Sequence, residues 1–287
     1  MKNNLRQILL LTRFTLSLAI GFSAVAGQLI FSHSFSLCTF YTLAGIVLLS
    51  GAASALNQYQ ERTLDARMGR TLRRPLPSGQ MKPSTALVIA VSIGLAGFFL
   101  LLFTTTWISA VLGIFNLLCY NLVYTPLKRK YSFTLLIGAV TGAVPPIIGW
   151  CASGGSMFDS KILSIALFMF LWQIPHFWLI LFKYGKEYES AGFGPLSVIT
   201  RGSNKKTILF VWVLGTSVST IMFPYFRIVS SLSIVVILLF INVFLISFFY
   251  RFLFVPKPSF KPGSAFRTIY LYQILILGIL IVSSVYF

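Results

Sequence analysis

Three polar side chains with regular spacing are placed where they could bind a metal ion. Asn57, Glu61 and Asp65 are four residues apart, so on an α-helix an amide and two carboxylates lie along one face. Oxygen ligands of this kind suit Mg²⁺, which shares substrate phosphates and therefore needs only one or two carboxylates. The alternative is a helix end whose acids pair with nearby arginines. Asn57 lies at the edge of an apolar run, where buried polar groups tend to be functional, and this favours the metal site.

A dense cluster of arginines follows these acids, although the chain has only five acidic residues in all. It consists of Arg62, Arg67, Arg70, Arg73 and Arg74. These are too many to neutralise two carboxylates, and guanidinium groups beside a metal suit a bound polyanion, whose remaining phosphate oxygens they bind bidentately. The alternative is attraction to anionic lipid headgroups, which we favour for Arg67. The prolines of RPLPSG, residues 74–79, predict a loop that folds back over a polar pocket.

A second acidic segment follows the sixth apolar run of the chain. His176, Lys183 and Glu187 are spaced seven and four residues apart, which aligns them on a continuous helix unless Gly185 interrupts it. His176 lies inside the apolar run, about two helical turns from its end. A histidine at that depth either contacts a ligand or is a hydrogen-bonded packing residue. Its alignment with a lysine and a glutamate favours a ligand.

Aromatic side chains surround this histidine in the segment WQIPHFW. Trp172, Phe177 and Trp178 would either pack on a flat ring system or form an aromatic belt at the membrane interface. Pro175 removes a backbone donor and would free a carbonyl group at the same depth. The segment is therefore a candidate for recognition of a planar molecule.

A third polar patch lies in NLVYTPLKRKYSF, residues 121–133. Asn121 and Tyr124 end the fourth apolar run, and Lys128 and Arg129 follow a proline turn. This patch would add phosphate-binding cations to the side of the membrane that carries the acidic segments. The next segment, GAVTGAVPPIIGW, is rich in small residues and predicts close contact between helices.

The composition is that of a polytopic membrane protein. The chain is 57% hydrophobic and 10% charged, with a mean hydropathy of +0.87. Soluble domains carry about 25% charged residues. Nine apolar runs are long enough to span a bilayer as helices. They lie near residues 9–30, 37–57, 85–103, 107–125, 134–151, 161–182, 207–226, 230–250 and 269–286.

Basic residues mark one side of the membrane. The net charge is +18, and all basic residues except Lys161 and Arg227 lie in the N-terminal segment or in loops that follow even-numbered runs. The positive-inside rule therefore predicts a cytoplasmic N-terminus and an external C-terminus in the cytoplasmic membrane. Because these charges form no single soluble face, we expect no nucleic-acid partner. The first run lacks a clear cleavage site and is expected to stay in the membrane.

Several classes of site have no counterpart in the chain. There is no GxxxxGK(S/T), GxGxxG or HExxH motif. The three cysteines contain no CxxC pair, which argues against a disulfide framework or a zinc site. Asp159 precedes the sixth run and is expected to face solvent or cap a helix. The remaining acids are therefore the candidates for chemistry.

The motifs resemble those of a known family. Asn-xxx-Glu-xxx-Asp followed by RTLRRPLPSGQ resembles the first signature of the UbiA-type intramembrane prenyltransferases. YTPLKRK, IGAVTGAVPPIIGW, WQIPHFW and KEYESAGFGPLSV resemble successive signatures of its heme O synthase (protoheme IX farnesyltransferase) branch, in the same order. The resemblance extends from about residue 50 to residue 200, and GAVPPIIGW together with WQIPHFW points to the heme branch.

The resemblance implies a fold and a reaction. The fold would be an all-α bundle of nine transmembrane helices around a central cavity, forming one domain over residues 1–287. The substrates would be farnesyl diphosphate and protoheme IX, the cofactor Mg²⁺ and the product heme O, in which a vinyl group has gained a farnesyl group and water. A heme A synthase or a terminal oxidase assembly would be the candidate protein partner, and membrane lipid would surround the chain.

The resemblance also assigns roles to residues. Asn57, Glu61, Asp65 and Glu187 would be the catalytic residues that hold Mg²⁺ on the diphosphate. The residues expected to contact the substrates are His176, Arg62, Arg70, Arg74, Tyr124, Lys128 and Lys183. His176 would contact the heme, either as an axial ligand of the iron or beside a propionate.

The sequence departs from the family pattern at a few positions. Glu61 and Glu187 stand where the family usually has Asp, and their longer side chains would reach a metal from a slightly more distant backbone. GFGPLSV, residues 192–198, also differs from the usual GxPMLPV. The alternatives are a prenyltransferase for an aromatic or quinone-precursor acceptor, and a transporter or lipid-binding scaffold without metal dependence.

Overall fold

The computed structural model describes residues 2–193, 204–255 and 262–286. Within these ranges the regular structure is entirely helical. The helices are α1 (Lys2–Leu11), α2 (Phe14–Ser32), α3 (Leu37–Asp65), α4 (Pro83–Thr104), α5 (Trp107–Leu118), α6 (Thr125–Leu127), α7 (Thr134–Ala152), α8 (Ser160–Ser190), α9 (Lys205–Ser219), α10 (Met222–Tyr225), α11 (Leu232–Phe254) and α12 (Pro262–Tyr286). A π-helical segment, Cys119–Tyr124, joins α5 to α6.

In the described ranges, nine segments are long and apolar enough to cross a membrane, as the sequence predicts. Two of them are composite: α5 to α6 form the span Trp107–Leu127, and α9 and α10 form Lys205–Tyr225. Large apolar side chains on the outside of the bundle are exposed, among them Phe103 and Phe240. Such a surface fits contact with lipid, so the chain is an integral membrane protein.

Two helices extend farther than the apolar runs predict. α3 continues to Asp65 and α8 continues to Ser190, about two turns beyond the predicted ends. Gly185 therefore does not interrupt α8, and His176, Lys183 and Glu187 lie on one continuous helix. These extensions carry the acidic residues. They are not included in the predicted spans, because polar helical turns lower the mean hydropathy by which a span is recognised.

The first predicted span is divided in two. α1 ends at Leu11 and α2 begins at Phe14, because Arg13 takes the left-handed conformation with φ 46° and ψ 50°. This conformation is uncommon for a residue with a side chain. The break turns the Arg13 side chain toward the central cavity.

Small residues allow α2 and α7 to pack closely, as GAVTGAVPPIIGW predicts. A Cβ atom at Gly27 would collide with the backbone carbonyl of Pro146, and one at Gly149 would collide with the carbonyl of Ala24. The two backbones are therefore in direct contact. This contact fixes α7 as one wall of the cavity.

The loop between α3 and α4 is ordered by turns, as RPLPSG predicts. The backbone N–H of Ser78 donates to the carbonyl of Arg74, and that of Gly79 donates to the carbonyl of Leu76. Gly79 has φ 72°, which favours glycine. Gln80 is hydrogen-bonded to Gln7 of α1, so the loop is also held by the N-terminal helix.

The predicted cap before α8 is confirmed. The Asp159 side chain accepts a hydrogen bond of 2.8 Å from the backbone N–H of Lys161. This satisfies one of the free amide groups at the start of the helix. Asp159 is therefore a structural residue, and the other four acids remain the candidates for chemistry.

Candidate active site

The helices surround a cavity of about 440 Å³. The end of α3 contributes three polar side chains to its wall: Asn57, Glu61 and Asp65. They are only 2%, 4% and 1% exposed, so the predicted alignment on one helical face is confirmed and this face is turned inward. Two carboxylates buried in this way need compensating charges or ligands.

Glu61 has one committed and one available carboxylate oxygen. Its Oε2 accepts a hydrogen bond of 3.1 Å from Asn57 Nδ2 and lies 2.8 Å from Lys128 Nζ. Its Oε1 lies 4.0 Å from Arg129 Nε and has no hydrogen-bond partner among the described residues. Buried carboxylate oxygens are normally satisfied, so Oε1 is a candidate to contact a bound cation.

Lys128 remains charged in this environment. Burial works to lower the pKa of Lys128, but the charge of Glu61 and its hydrogen bond, together with Tyr124 and Tyr120, outweigh burial and raise the pKa above its usual range. The ammonium group also lies 5.1 Å from the centroid of the Tyr124 ring. Lys128 is thus a fixed positive charge at the polar end of the cavity.

Asp65 pairs with the loop that follows its own helix. Arg74 Nη1 donates a hydrogen bond of 2.5 Å to Asp65 Oδ2. Burial, followed by the charge of Arg13, lowers the pKa of Arg74 to about 10, although Asp65 opposes the shift. Both arginines line the cavity. The Asp65 carboxylate pairs with Arg74, so the charge of Arg13 is left to stabilise a further anion.

Glu187 has a different environment from the α3 acids. Its Oε2 accepts a hydrogen bond of 3.3 Å from the backbone N–H of Arg70. Arg70 in turn donates to the hydroxyl of Tyr188 at 2.8 Å and lies 5.1 Å from the centroid of the Tyr184 ring. Arg70 lines the cavity, whereas Glu187 is not part of its wall. The end of α8 thus holds the loop that carries Arg70.

Two predicted cationic residues lie away from the cavity wall. Arg62 donates through Nη1 to the carbonyl of Tyr59 at 2.7 Å and packs on the ring of the same tyrosine. Lys183 is exposed, and its ammonium group lies 5.0 Å and 5.9 Å from the rings of Tyr184 and Phe266. The predicted contact of Arg62 and Lys183 with a diphosphate has no support from this arrangement.

Tyr124 lies on the π-helical segment and lines the cavity. Single π-helical turns are rare and are often found at functional sites. The neighbouring Thr125 accepts a hydrogen bond of 3.1 Å from Asn57 Nδ2. Thr125, the first residue of α6, therefore helps to fix the Asn57 side chain, and Lys128 follows about one turn later.

The other end of the cavity is aromatic. The ring of His176 stacks on that of Trp172 with centroids 5.2 Å apart and an angle of 10°. His176 Nε2 lies 3.4 Å from the hydroxyl of Tyr270, while Nδ1 is buried and has no hydrogen-bond partner among the described residues. Trp172 is itself held by a hydrogen bond of 2.9 Å from Nε1 to the carbonyl of Ile269. The histidine is thus oriented by α8 and α12 together.

Apolar side chains line much of the rest of the cavity wall. They include Ile20, Ile46, Leu49, Ile148 and Met169. The cavity can therefore hold a polyanion at one end, a long apolar chain along its walls and a flat molecule against the aromatic end.

Three residues of this site were not assigned to it from the sequence. Arg13 is set apart only by its backbone conformation, because its charge also fits the positive-inside pattern. Thr125 lies inside the motif YTPLKRK, where Tyr124 and Lys128 are the more conspicuous residues. Tyr270 belongs to the last apolar run and is brought to His176 only by the packing of α12. No local motif marks it.

The residues present fit a magnesium ion that is shared with a substrate. In the described part of the chain no group of three or more His, Cys, Asp or Glu side chains could hold a metal alone. Asn57 directs its amide group to Glu61, and Glu187 holds the loop. Mg²⁺ commonly uses one or two carboxylates together with substrate phosphates. Glu61, through its available Oε1, and Asp65 supply these carboxylates.

Comparison with known proteins identifies the family. The family model described as the UbiA prenyltransferase family matches residues 15–272. The chain therefore belongs to the UbiA prenyltransferase family. A curated relative, the protoheme IX farnesyltransferase of Geobacter sulfurreducens, is 38% identical over 224 residues, which covers 77% of this chain and 82% of the relative. Other relatives with this name are between 32% and 41% identical.

Solved structures with low sequence identity share the fold. A digeranylgeranylglyceryl phosphate synthase has a TM-score of 0.78 at 16% identity, covering 99% of this chain and all of the other. A UbiA homolog from Archaeoglobus fulgidus bound to DMAPP and Mg²⁺ has a TM-score of 0.71 at 12% identity, covering 98% of this chain and all of the other. These similarities show that the described helices have the fold of these solved structures.

Proposed function

We propose that this chain is a heme O synthase, which transfers the farnesyl group of farnesyl diphosphate to a vinyl group of protoheme IX with addition of water. The observation that carries the proposal is the cavity, which has buried carboxylates and surplus cations at one end and aromatic side chains at the other. Its support from relatives is the shared name of proteins that are 38% and 34% identical over most of this chain.

The polar end would bind the diphosphate and a magnesium ion. Glu61 and Asp65 would hold Mg²⁺, with Asn57 fixing the Glu61 carboxylate from the same helix face. When bound, Mg²⁺ would neutralise charge on the departing diphosphate as a Lewis acid. Binding of prenyl diphosphate with Mg²⁺ in the Archaeoglobus fulgidus homolog supports this assignment.

The cavity cations would stabilise the leaving group. Arg70, Arg74 and Lys128 line the polar end, and Arg13 adds a fourth positive charge. Negative charge on the diphosphate grows as its bond to the farnesyl carbon breaks, so fixed cations favour the transition state over the ground state. Because Glu61 and Asp65 already orient Lys128 and Arg74, little reorganisation is needed during the reaction.

The aromatic end would receive the heme. The flat pair formed by Trp172 and His176, with Phe177 beside it, offers a surface for a planar ring. The apolar walls of the cavity would hold the farnesyl chain and exclude water until the allylic cation is captured by the vinyl group. We place His176 in contact with the heme.

The surroundings of the enzyme complete the proposal. Residues 1–287 would form one domain, in the cytoplasmic membrane, with the N-terminus and the diphosphate-binding end on the cytoplasmic side. The product would pass to a heme A synthase or to a terminal oxidase during assembly. Farnesyl diphosphate is a charged soluble metabolite, which fits a polar end that faces the cytoplasm.

The test is a transfer assay with the full chain in membranes, protoheme IX, farnesyl diphosphate and Mg²⁺, read by mass spectrometry. We expect a heme that has gained one farnesyl group and one water, and whose formation stops with EDTA. Prenylation of an added aromatic or quinone-precursor acceptor instead of heme would contradict the heme assignment but keep the diphosphate site. Absence of transfer to any acceptor by the folded protein would contradict the enzyme assignment altogether.

A further inference from the structure

The acceptor end of the cavity contains one basic side chain that the diphosphate chemistry does not use. The chain has two histidines, and His33 is hydrogen-bonded at 2.8 Å to the carbonyl of Ser284, outside the cavity wall. His176 lines the cavity. Its polar neighbours in the wall include Gln173, Gln273 and Tyr270, whose amides and phenol are poor proton acceptors. The cavity carboxylates are paired with Lys128 and Arg74 at the opposite end.

The two ring nitrogens of His176 differ in their surroundings. Nε2 faces the hydroxyl of Tyr270 at 3.4 Å, and Nδ1 is buried without a hydrogen-bond partner among the described residues. Since a buried Nδ1 cannot meet a water molecule, Nε2 is the nitrogen that can accept a proton, when Nδ1 carries the ring hydrogen. Stacking on Trp172 and an edge contact with Phe266, whose centroid is 6.3 Å away, hold the ring in this orientation.

The proposed reaction requires a proton acceptor at this end. The vinyl group bonds to the farnesyl carbon through its outer carbon, while the carbon–oxygen bond to diphosphate breaks and its electron pair leaves with diphosphate. A cation is then left on the vinyl carbon attached to the porphyrin ring, which lies farther from the diphosphate. Addition of water to this cation forms a carbon–oxygen bond and must release one proton. Without capture, the cation can lose a carbon-bound proton and give an alkene.

We propose that His176 is a catalytic residue that orients this water and accepts its proton at Nε2, with Tyr270 as a positioning residue whose hydroxyl group lies beside that nitrogen. The inference rests on the proposed function and deepens it. The role is distinct from axial ligation of the heme iron, in which a histidine nitrogen would bind the metal. It also explains why a polar, weakly basic ring is placed in an otherwise aromatic and apolar wall.

The experiment compares the full chain with His176→Phe, His176→Asn and Tyr270→Phe in the same membranes, with protoheme IX, farnesyl diphosphate and Mg²⁺. Phe keeps a flat ring on Trp172, and Asn keeps a smaller polar side chain, but neither can take a proton. Products are separated by mass, because the alkene is one water lighter than heme O. Binding of heme is followed by its absorption spectrum, and folding by thermal unfolding.

We expect both His176 variants to form heme O about 10²-fold more slowly, since general-base catalysis typically contributes 10²- to 10⁴-fold. The ratio of alkene to heme O should rise at least about tenfold, with the KM for farnesyl diphosphate unchanged within about twofold. Tyr270→Phe should lower the rate about tenfold, because it removes only the orienting hydrogen bond. The heme absorption spectrum should be the same for all four proteins.

Three results would overturn the inference while leaving the proposed function intact. These are an unchanged rate and product ratio in the folded His176 variants, a change of the heme spectrum that indicates lost iron ligation, and loss of heme binding with the product ratio of the residual activity unchanged. Failure of the unaltered chain to farnesylate heme would instead refute the proposed function. If the His176 variants did not fold, the product ratio of Tyr270→Phe would provide the test, and no increase in alkene would overturn the inference.

Discussion

The acidic ends of α3 and α8 resemble each other in sequence but differ in the folded protein. Both helices continue beyond their apolar runs and carry carboxylates there. At the end of α3, Glu61 and Asp65 are buried in the cavity wall and each contacts a cation. At the end of α8, Glu187 is only partly buried and accepts a backbone hydrogen bond from the loop. Similar residue types therefore have different tasks.

The difference follows from what surrounds each helix end. α3 packs against α2, α4, α5 and α7, so its inward face has no access to water except through the cavity. A charged side chain on that face must be paired with an opposite charge. When substrate binds, a charge of the substrate can take the place of this partner. Glu187 faces the loop at Arg70, where a backbone N–H satisfies it at lower cost. We infer that the α3 acids carry the chemistry and that Glu187 orders the loop above it.

The largest effect is expected at Glu61. Glu61→Gln keeps the size of the side chain but removes the charge that pairs with Lys128 and would hold Mg²⁺. Farnesyl transfer should fall at least about 10³-fold, since preorganised charges at a reacting centre contribute about 10²- to 10³-fold each. The protein should also unfold at a lower temperature, because breaking a buried pair leaves an uncompensated charge and costs about 3–5 kcal/mol.

A second substitution separates the two consequences of this change. Adding Lys128→Met to Glu61→Gln removes the unpaired ammonium group, so most of the lost thermal stability should return. The transfer activity should not return, since the carboxylate is still missing. Recovery of activity in the double variant, or activity of Glu61→Gln within about tenfold of the unaltered chain, would show that Glu61 has only a structural role.

An intermediate effect is expected for Arg74. Arg74→Ala removes a guanidinium group that pairs with Asp65 and lines the cavity, and should lower kcat about 10²-fold. The matched control is Arg73→Ala, because Arg73 is an exposed arginine in the same loop that is not part of the cavity wall. We expect the control to stay within about twofold in steady-state assays. Equal losses in both variants would argue for a general effect of loop charge.

A smaller effect is expected at Glu187, where two substitutions distinguish a metal ligand from a loop contact. Glu187→Gln keeps an oxygen that can accept from Arg70 N–H, whereas Glu187→Ala removes it. If Glu187 orders the loop, transfer should be within about threefold for Gln and about tenfold lower for Ala, mainly through KM for farnesyl diphosphate. If Glu187 binds the metal, Gln should be as inactive as Ala.

The smallest effect is expected for the two cations that lie outside the cavity wall. Arg62→Ala and Lys183→Ala remove side chains that pack on Tyr59, Tyr184 and Phe266. Transfer rates and KM for farnesyl diphosphate should change by no more than about twofold, because neither side chain lines the cavity and charges that are not deeply buried contribute little. A loss as large as that of Arg74→Ala would mean that these residues contact the diphosphate when substrate is bound.

Sequence patterns predicted much of this site because several of its signals are local. The spacing of Asn57, Glu61 and Asp65 fixes one helix face, and the turn residues of RPLPSG predict the loop that carries Arg74. Other contacts depend on packing between distant segments. Arg13 reaches the cavity through a left-handed residue between two helices, and Tyr270 reaches His176 from a helix near the other end of the chain.

The sequence by itself determined the membrane-spanning class of the protein, its nine apolar segments and the residue types available for binding a diphosphate. It did so because hydropathy and helical periodicity are properties of short segments. Only the tertiary structure decided which charges share the cavity. It buries Glu61 and Asp65 beside Lys128 and Arg74, and it leaves Lys183 outside. The reason is that the cost of burying a charge depends on all the helices around it.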